Sequence, residues 1–488
     1  MTQEKTRVIA GSVALLVGAY FSAIIALLIS ILLTRFLAKE TYGVYVFIIS
    51  FASICYLFTN FGVDNITNYF IQRYKDTNLN VVKYIINKSL RFKAILSLCV
   101  LFVLLLLGFN DIKYYYAAIF FAFFAPNRYT RAFLVSFQHF SLHGRLQIIE
   151  SLLKLLLLLL LVYFTTPPLS LVILAVGTPM LITSFIAMYD IKTTLPKIKP
   201  QIRFEDIKDE FFHYWKWLAI VSIMPTLTGN IMQVTLGLIN EFKELAIFGV
   251  GYALSNMILI AYTSFRGAMQ TSFVKKTDKE SISYSLTDSI RYMLMIALFL
   301  MPFFHFVSFP LVVTLYTEKY AEAAIILEVL AYRILIEMVF AGLGPAALAI
   351  GKPNLRVIAD VINITTIVTS AIFLVPEYGA VGAALALLCG SIARTFIFAS
   401  IEYKYLKYRF PSTTLVRAFA ASVIVSLILY NLKLPHIYMM ICGVASSLLY
   451  IFLLYIIKEI NENDIILFKE VLLKKRHHVN TSNNLWNQ

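Results

Sequence analysis

The sequence predicts an all-α polytopic membrane protein with about 14 transmembrane helices. Three observations lead there. Of its 488 residues 60% are hydrophobic and only 14% charged, with a mean hydropathy of +0.79; a soluble domain carries about a quarter charged residues. The apolar residues come as long runs repeated from end to end, instead of being shared among the two or three cores of a soluble chain this long. All four cysteines (Cys55, Cys99, Cys389, Cys442) lie inside those runs and read as small buried hydrophobes. An ordinary soluble enzyme, a disordered chain and a secreted disulfide scaffold are thereby excluded. In lipid every backbone polar group must be satisfied within its segment, so the runs are helices.

A helix needs about 20 mostly apolar residues to cross the hydrocarbon core. Runs of that kind fall at 8–33, 42–62, 94–109, 112–136, 148–165, 170–190, 214–238, 245–271, 292–316, 324–350, 357–375, 380–401, 418–432 and 437–457. The first is too long for a signal-peptide core and runs on into Thr34-Arg35 without a small-residue cleavage site, so it is expected to be kept. The third and thirteenth are short and extend past these bounds. Pro126, Pro225, Pro302 and Pro345 lie inside spans, where they kink or break helices. The outer connections are very short, as in Phe109-Asn110-Asp111 and Thr166-Pro167-Pro168. The long connection is 191–213, where Phe204, Ile207, Phe211, Phe212 and Trp215 recur at helical spacing. It reads either as an amphipathic surface helix or as a polar lead-in to the seventh span. After Lys458 a similar stripe (Ile465, Ile466, Leu467, Val471, Leu472) precedes Lys474-Lys475-Arg476 and a polar, frayed end.

An even number of spans puts both termini on one side. With that side cytoplasmic, 29 of the 42 Lys and Arg fall in inner segments and 6 at the outer side, loop after loop. This is the positive-inside bias, so the net charge of +15 reports orientation and not a nucleic-acid partner. The 191–213 connection divides the first twelve spans six and six. This gives an N-terminal lobe (1–190), a cytoplasmic linker (191–213), a C-terminal lobe (214–401), two further spans with their preceding loop (402–457) and a cytoplasmic tail (458–488). Internal repeats are common in secondary transporters. Here Gly144-Arg145 and Gly351-Lys352 precede the fifth and eleventh helices, each with an acid near its start, Glu150 or Asp360.

Two stretches carry a family likeness. LLTRFLAKETYGVYVFIISFASICYLFTNFGVDN holds a Leu-x-x-x-x-Tyr-Gly turn and an aromatic-Gly pair. AIGKPNLRVIADVINITTIVTSAIFLVPEYGAVGAALALLCGSIAR holds a Gly-Lys turn, an Asn-bearing helix, Pro-x-Tyr-Gly and a small-residue Gly-Ala-Ala helix. In both, the chain resembles Wzx-type polysaccharide (O-antigen) flippases of the multidrug/oligosaccharidyl-lipid/polysaccharide exporter superfamily. The resemblance implies two six-helix lobes around a central cavity plus two C-terminal helices, in the bacterial cytoplasmic (inner) membrane. It implies translocation of an undecaprenyl-diphosphate-linked oligosaccharide, for O-antigen, capsule or a similar polymer, from the cytoplasmic to the periplasmic leaflet. Membrane lipid and other polysaccharide-assembly membrane proteins are the further partners expected, and no cofactor.

Ionisable residues inside spans mark candidate sites, because each costs about 2.5–3.5 kcal/mol unless it faces a cavity or a partner. Arg128, Arg131, Glu150, Lys154, Arg266, Asp360 and Arg394 all fall in the cytoplasmic half. That arrangement suggests a cationic vestibule, and guanidinium suits a diphosphate because it donates in a fork. Arg131 and Arg266 lead as substrate-binding residues, having no acid at i±3 or i±4; Arg128, Lys154 and Arg394 follow. Glu150, Glu337 and Asp360 are candidates for ion or proton coupling. The blander readings are self-neutralising i,i+4 pairs (Glu150–Lys154, Arg333–Glu337), snorkelling of Arg394 and Asp360, and a helix–helix bond at His305. His139 and His143 have metal-ligand spacing but no third ligand nearby, so no metal is expected. No phosphate-binding Gly-x-x-x-x-Gly-Lys-Ser/Thr loop, catalytic constellation or large outer domain is present. The alternatives of the same fold are a cation-coupled multidrug exporter and a lipid II flippase; a membrane glycan polymerase fits less well.

Overall fold

The computed structural model describes residues 2–75, 77–164, 167–194, 208–273, 278–352, 354–432, 434–461 and 464. Among them the long elements are all helices: α1 (Thr2–Phe36), α2 (Lys39–Asn60), α3 (Val63–Tyr74), α4 (Leu79–Gly108), α5 (Ile112–Ser136), α6 (Phe140–Phe164), α7 (Leu169–Thr194), α8 (Lys208–Leu238), α9 (Phe242–Phe273), α10 (Lys279–Tyr316), α11 (Ala323–Val339), α12 (Leu343–Ala349), α13 (Asn354–Leu406), α14 (Ser412–Asn431) and α15 (His436–Ile456). Eleven are long and apolar enough to cross a bilayer, and α13 covers two of the expected spans. The expected spans at 112–136 and 324–350 are α5, with the same bounds, and the pair α11–α12. The tenth span is thus broken at Phe340–Gly342, five residues before the proline expected to break it. The eleventh and twelfth spans join at Gly379, whose φ of 52° is a left-handed conformation that favours glycine; Ala380 N–H then donates to Glu244 at 2.8 Å.

Polar capping residues start several helices. Asn78 accepts from Asn80 N–H (3.1 Å) to open α4, and Asp111 from Lys113 N–H (3.0 Å) to open α5. The outward faces are apolar: Leu98, Phe102, Phe185, Phe396 and Leu448 are all more than 60% exposed. In water such a surface would aggregate; in a bilayer it is the solvent-facing side. This is a multi-pass membrane protein.

Helices α1–α7 form one lobe, in which α1 packs on α6 and α5 on α2, α4 and α7. Helices α8–α13 form the other, centred on α11, while α14 and α15 dock on α10. The lobes meet through α2 against α8 and α9. At the face where α1 ends they are sealed by mostly buried groups. Tyr42 and Tyr316 both hydrogen-bond Ser30 (2.8 and 3.1 Å), Lys113 donates to Asn240 (2.5 Å), and Gly43 sits so close to Phe242 that a Cβ there would stand 2.0 Å from its carbonyl oxygen. The Tyr-Gly pair singled out in the sequence, in the first turn of α2, is therefore one of the places where the lobes touch.

At the opposite face, where α1 begins, the bridge is different. Helix α3, not expected from the sequence, lays Val63, Ile66, Phe70 and Ile71 into the bundle. Its polar residues reach α8: Arg73, Tyr69 and Tyr74 converge on Glu210 at 3.0, 3.2 and 2.8 Å. Of the 191–213 connection, 195–207 lies outside the described residues. Phe211, Phe212 and Trp215 belong to the first turns of α8, continuous with the seventh span. The stripe at Ile465–Leu472 also lies outside the described residues.

Candidate functional site

A cavity of about 550 Å³ opens between the lobes in the half of the bundle nearer the α3 face. Ser53 and Tyr56 come from α2, Asp64 from α3, Arg128 and Arg131 from α5, His143 and Gln147 from α6, and Thr226 and Asn230 from α8. Its two arginines differ. Arg128 is exposed, lies with its guanidinium 4.9 Å from the Phe124 ring, and makes no ion pair with any described residue. Arg131 is not the unpaired group that its own helix suggested: Nη2 stands 2.5 Å from Glu150 Oε2 on the next helix.

Glu150 is the hub behind this wall. It also accepts from Lys154 at 2.7 Å, from Asn127 at 2.9 Å and from Thr183 at 2.9 Å. The i,i+4 pair expected of Glu150 and Lys154 forms, and Lys154 is turned to it instead of lining the cavity. Asp64, which the sequence reading passed over, brings a negative charge to the cavity, but Lys93 from α4 pairs with it. The wall is therefore net cationic.

The second lobe holds a tighter cluster. A cleft of about 20 Å³ is lined by Tyr262 and Arg266 of α9, Glu337 and Phe340, Gly344 of α12, and Arg394 of α13. Gly344 leaves room for Arg266, whose Nη2 would stand 3.2 Å from a Cβ at that position. Arg266 makes no ion pair with a described residue, as expected. Arg394 and Asp360, read as possible snorkelling groups, pair with each other at 2.9 Å, and Arg394 also approaches Glu337 at 3.7 Å. Glu337 is held by Arg333 (3.5 Å) and by Ser391 (2.6 Å), and Asp360 by Arg356 (3.7 Å). Glu150 and Asp360 are thus not equivalent in the two lobes: the first pairs with the preceding transmembrane helix, the second with the following one.

Each of the three coupling candidates, Glu150, Glu337 and Asp360, is engaged by arginine or lysine. His305 bonds Glu328 on α11 at 2.7 Å, the helix–helix contact expected of it. His139 pairs with Asp190 (2.6 Å), and no group of three His, Cys, Asp or Glu able to hold a metal occurs among the described residues. Asn127, Thr183 and Tyr56 were missed by a search limited to charges, since polar neutral residues at helical positions give no distinct signal in sequence.

Known proteins place this architecture. No protein of curated function matches the chain at the sequence level. Among solved structures, the lipid II flippase MurJ in an inward closed conformation is similar, with a TM-score of 0.71 at 15% identity over 92% of this chain and 99% of that one. A multidrug resistance MATE family transporter of the MOP superfamily, in an inward-facing conformation, gives 0.63 at 15% identity over 79% and 95%. At such identity the likeness is one of fold. The sequence itself matches the family described as polysaccharide biosynthesis protein over residues 8–270, more than half of the chain, and it is to that family that the chain belongs.

Proposed function

We propose that this chain flips an undecaprenyl-diphosphate-linked oligosaccharide from the cytoplasmic to the periplasmic leaflet by alternating access, without covalent chemistry. The observation that carries the reading is the cationic wall of the inter-lobe cavity, above all Arg128, a guanidinium exposed to the cavity with no acid partner among the described residues. An unpaired arginine at membrane depth is costly and calls for an anion. A diphosphate meets the need through forked charge-assisted hydrogen bonds. The α3 face is the cytoplasmic one in this reading, as the positive-inside bias requires. Arg131 and Arg266 extend the cationic surface, with Arg394 behind Arg266. Glu150, Glu337 and Asp360 then serve to hold these cations in place, and Lys154 acts through Glu150. The bilayer concerned is the bacterial inner membrane, with both termini cytoplasmic.

Deleting the gene is expected to trap lipid-linked repeat units at the inner leaflet while their synthesis continues. Normal surface polysaccharide with altered drug sensitivity would overturn the reading in favour of a multidrug exporter. A second reading, lipid II as cargo, is favoured by one specific observation, the fold similarity to a lipid II flippase. Accumulation of lipid II instead of a polysaccharide precursor would select it.

A further inference from the structure

Glu402 differs from Glu150, Glu337 and Asp360. It lies near the cytoplasmic end of α13, its residue is 0% exposed, and both carboxyl oxygens are buried without a hydrogen-bond partner. No lysine, arginine or histidine among the described residues forms an ion pair with it. By contrast Glu150, Glu337 and Asp360 each have one or more cations in reach.

An isolated carboxylate in such surroundings is very unfavourable, and binding a proton removes the charge. The surroundings offer little in its place: the Ala347 N–H of α12 is directed toward it but falls outside hydrogen-bond geometry. Helix α12, whose Ala347 backbone lies against Glu402, carries no titratable residue. Tyr408, from the connection after α13, is a titratable group that faces it. Lys352, just beyond α12, is placed over the Tyr405 ring at 4.0 Å. On the adjoining α9 and α10, Arg266 faces the arginine cleft and Arg291 pairs with Glu459 and Asp464.

The element that covers Glu402 is also the one cut loose by the broken tenth span. Helix α12 is seven residues long and separated from α11 at Phe340–Gly342. One of its faces, through Leu343 and Gly344, lines the Arg266–Arg394 cleft, and the next turn covers Glu402. Anything that charges Glu402 must bring it water or a cation, and α12 is one of the segments packed against it.

We infer that Glu402 is a proton-binding site: its neutral acid lets α12 pack on α13, and loss of the proton to the cytoplasmic side drives α12 away and opens the Arg266–Arg394 cleft. The ligand is a proton, and the reaction is carboxyl to carboxylate with the proton passing to water. The inference adds a coupling element to the proposed transport but does not depend on the cargo.

Two measurements on purified full-length protein, made without substrate, test it. Infrared difference spectra should contain the C=O stretch of a protonated carboxyl at neutral pH that Glu402→Gln removes. With the native cysteines replaced, a thiol at Ala346 on α12 should be labelled at similar rates with and without Glu402→Gln at about pH 6, and at least several-fold faster in the protein that keeps Glu402 at about pH 9, the ratio cancelling the rise in thiolate common to both. A spectrum unchanged by Glu402→Gln, or labelling that follows pH equally with and without the carboxyl, would overturn the inference. Neither result bears on whether a polysaccharide precursor is flipped.

Discussion

Removing the carboxylate of Glu150 isolates the cost of the charge network behind the cavity. The residue is 5% exposed and accepts from four side chains on three helices besides its own packing. In Glu150→Ala, Asn127 still donates to the Met180 carbonyl (3.1 Å) and Thr183 to that of Pro179 (3.0 Å), so the neutral donors keep partners. Arg131 and Lys154 do not. Breaking a buried ion pair by removing one partner costs about 3–5 kcal/mol, at least a fifth of the roughly 5–15 kcal/mol that holds a typical domain folded. The network goes from one net positive charge to two. Replacing Lys154 with Met in a Glu150→Gln background returns it to one and should recover most of the loss, because the two sites share partners and couple. The assay is unfolding of purified protein in mild detergent, followed by circular dichroism, with the amount of inserted protein in membranes as a second readout. If Glu150→Ala unfolds within about 1 kcal/mol of the parent, or if the double variant is no more stable than Glu150→Gln, the network does not carry the stability assigned to it.

Other outcomes follow from the same geometry. Arg128→Ala should leave the protein level unchanged, since no acid loses a partner, but reduce export per molecule by about tenfold or more, the worth of a charge-assisted hydrogen bond of about 1.5–3 kcal/mol; Arg128→Lys should fall between. Full export by Arg128→Ala, measured as surface polysaccharide normalised to inserted protein, would remove it from the site. Single cysteines at Asn110 and Lys404, in a background lacking the four native ones, should differ in labelling by an impermeant reagent applied to intact cells, with Asn110 the reactive position; labelling of both would refute the orientation. Gly43→Val should force the lobes apart at Phe242, given the 2.0 Å approach. A cysteine at Ser53 in the cavity should then react from the side where α1 ends, and no change in its reactivity would place the seal elsewhere.

The helices were legible because each span is written as a hydropathy run, a signal that needs no knowledge of neighbours. The same reasoning explains what was not. Helix α3 has polar residues at half its positions and too little apolar length to register, although Val63, Ile66, Phe70 and Ile71 recur at the spacing of one helical face. The break in the tenth span falls at Phe340–Gly342, where the sequence offers only one glycine, and not at Pro345, which a first turn of α12 accommodates. Ion pairs within one helix, such as Glu150–Lys154, could be read from spacing. Those between helices could not, since Arg131 meets Glu150 only through the depth and rotation of two packed helices. For the same reason the candidate arginines were identifiable as a set, while Arg128, not Arg131, is the one left open to the cavity.

The two bridges between the lobes are built from unlike materials. At the Ser30–Tyr42–Tyr316 seal the hydroxyls are buried, so parting them strands polar groups until water floods in. At Glu210 the partners are already partly wet: Arg73 has half its side chain exposed and Glu210 about a quarter, and water can take over each bond as it breaks. The molecule therefore behaves like a door hinged stiffly on one side and latched lightly on the other. Pulled apart, it gives way first at the α3 face, and the Ser30–Tyr42–Tyr316 face is the one that resists.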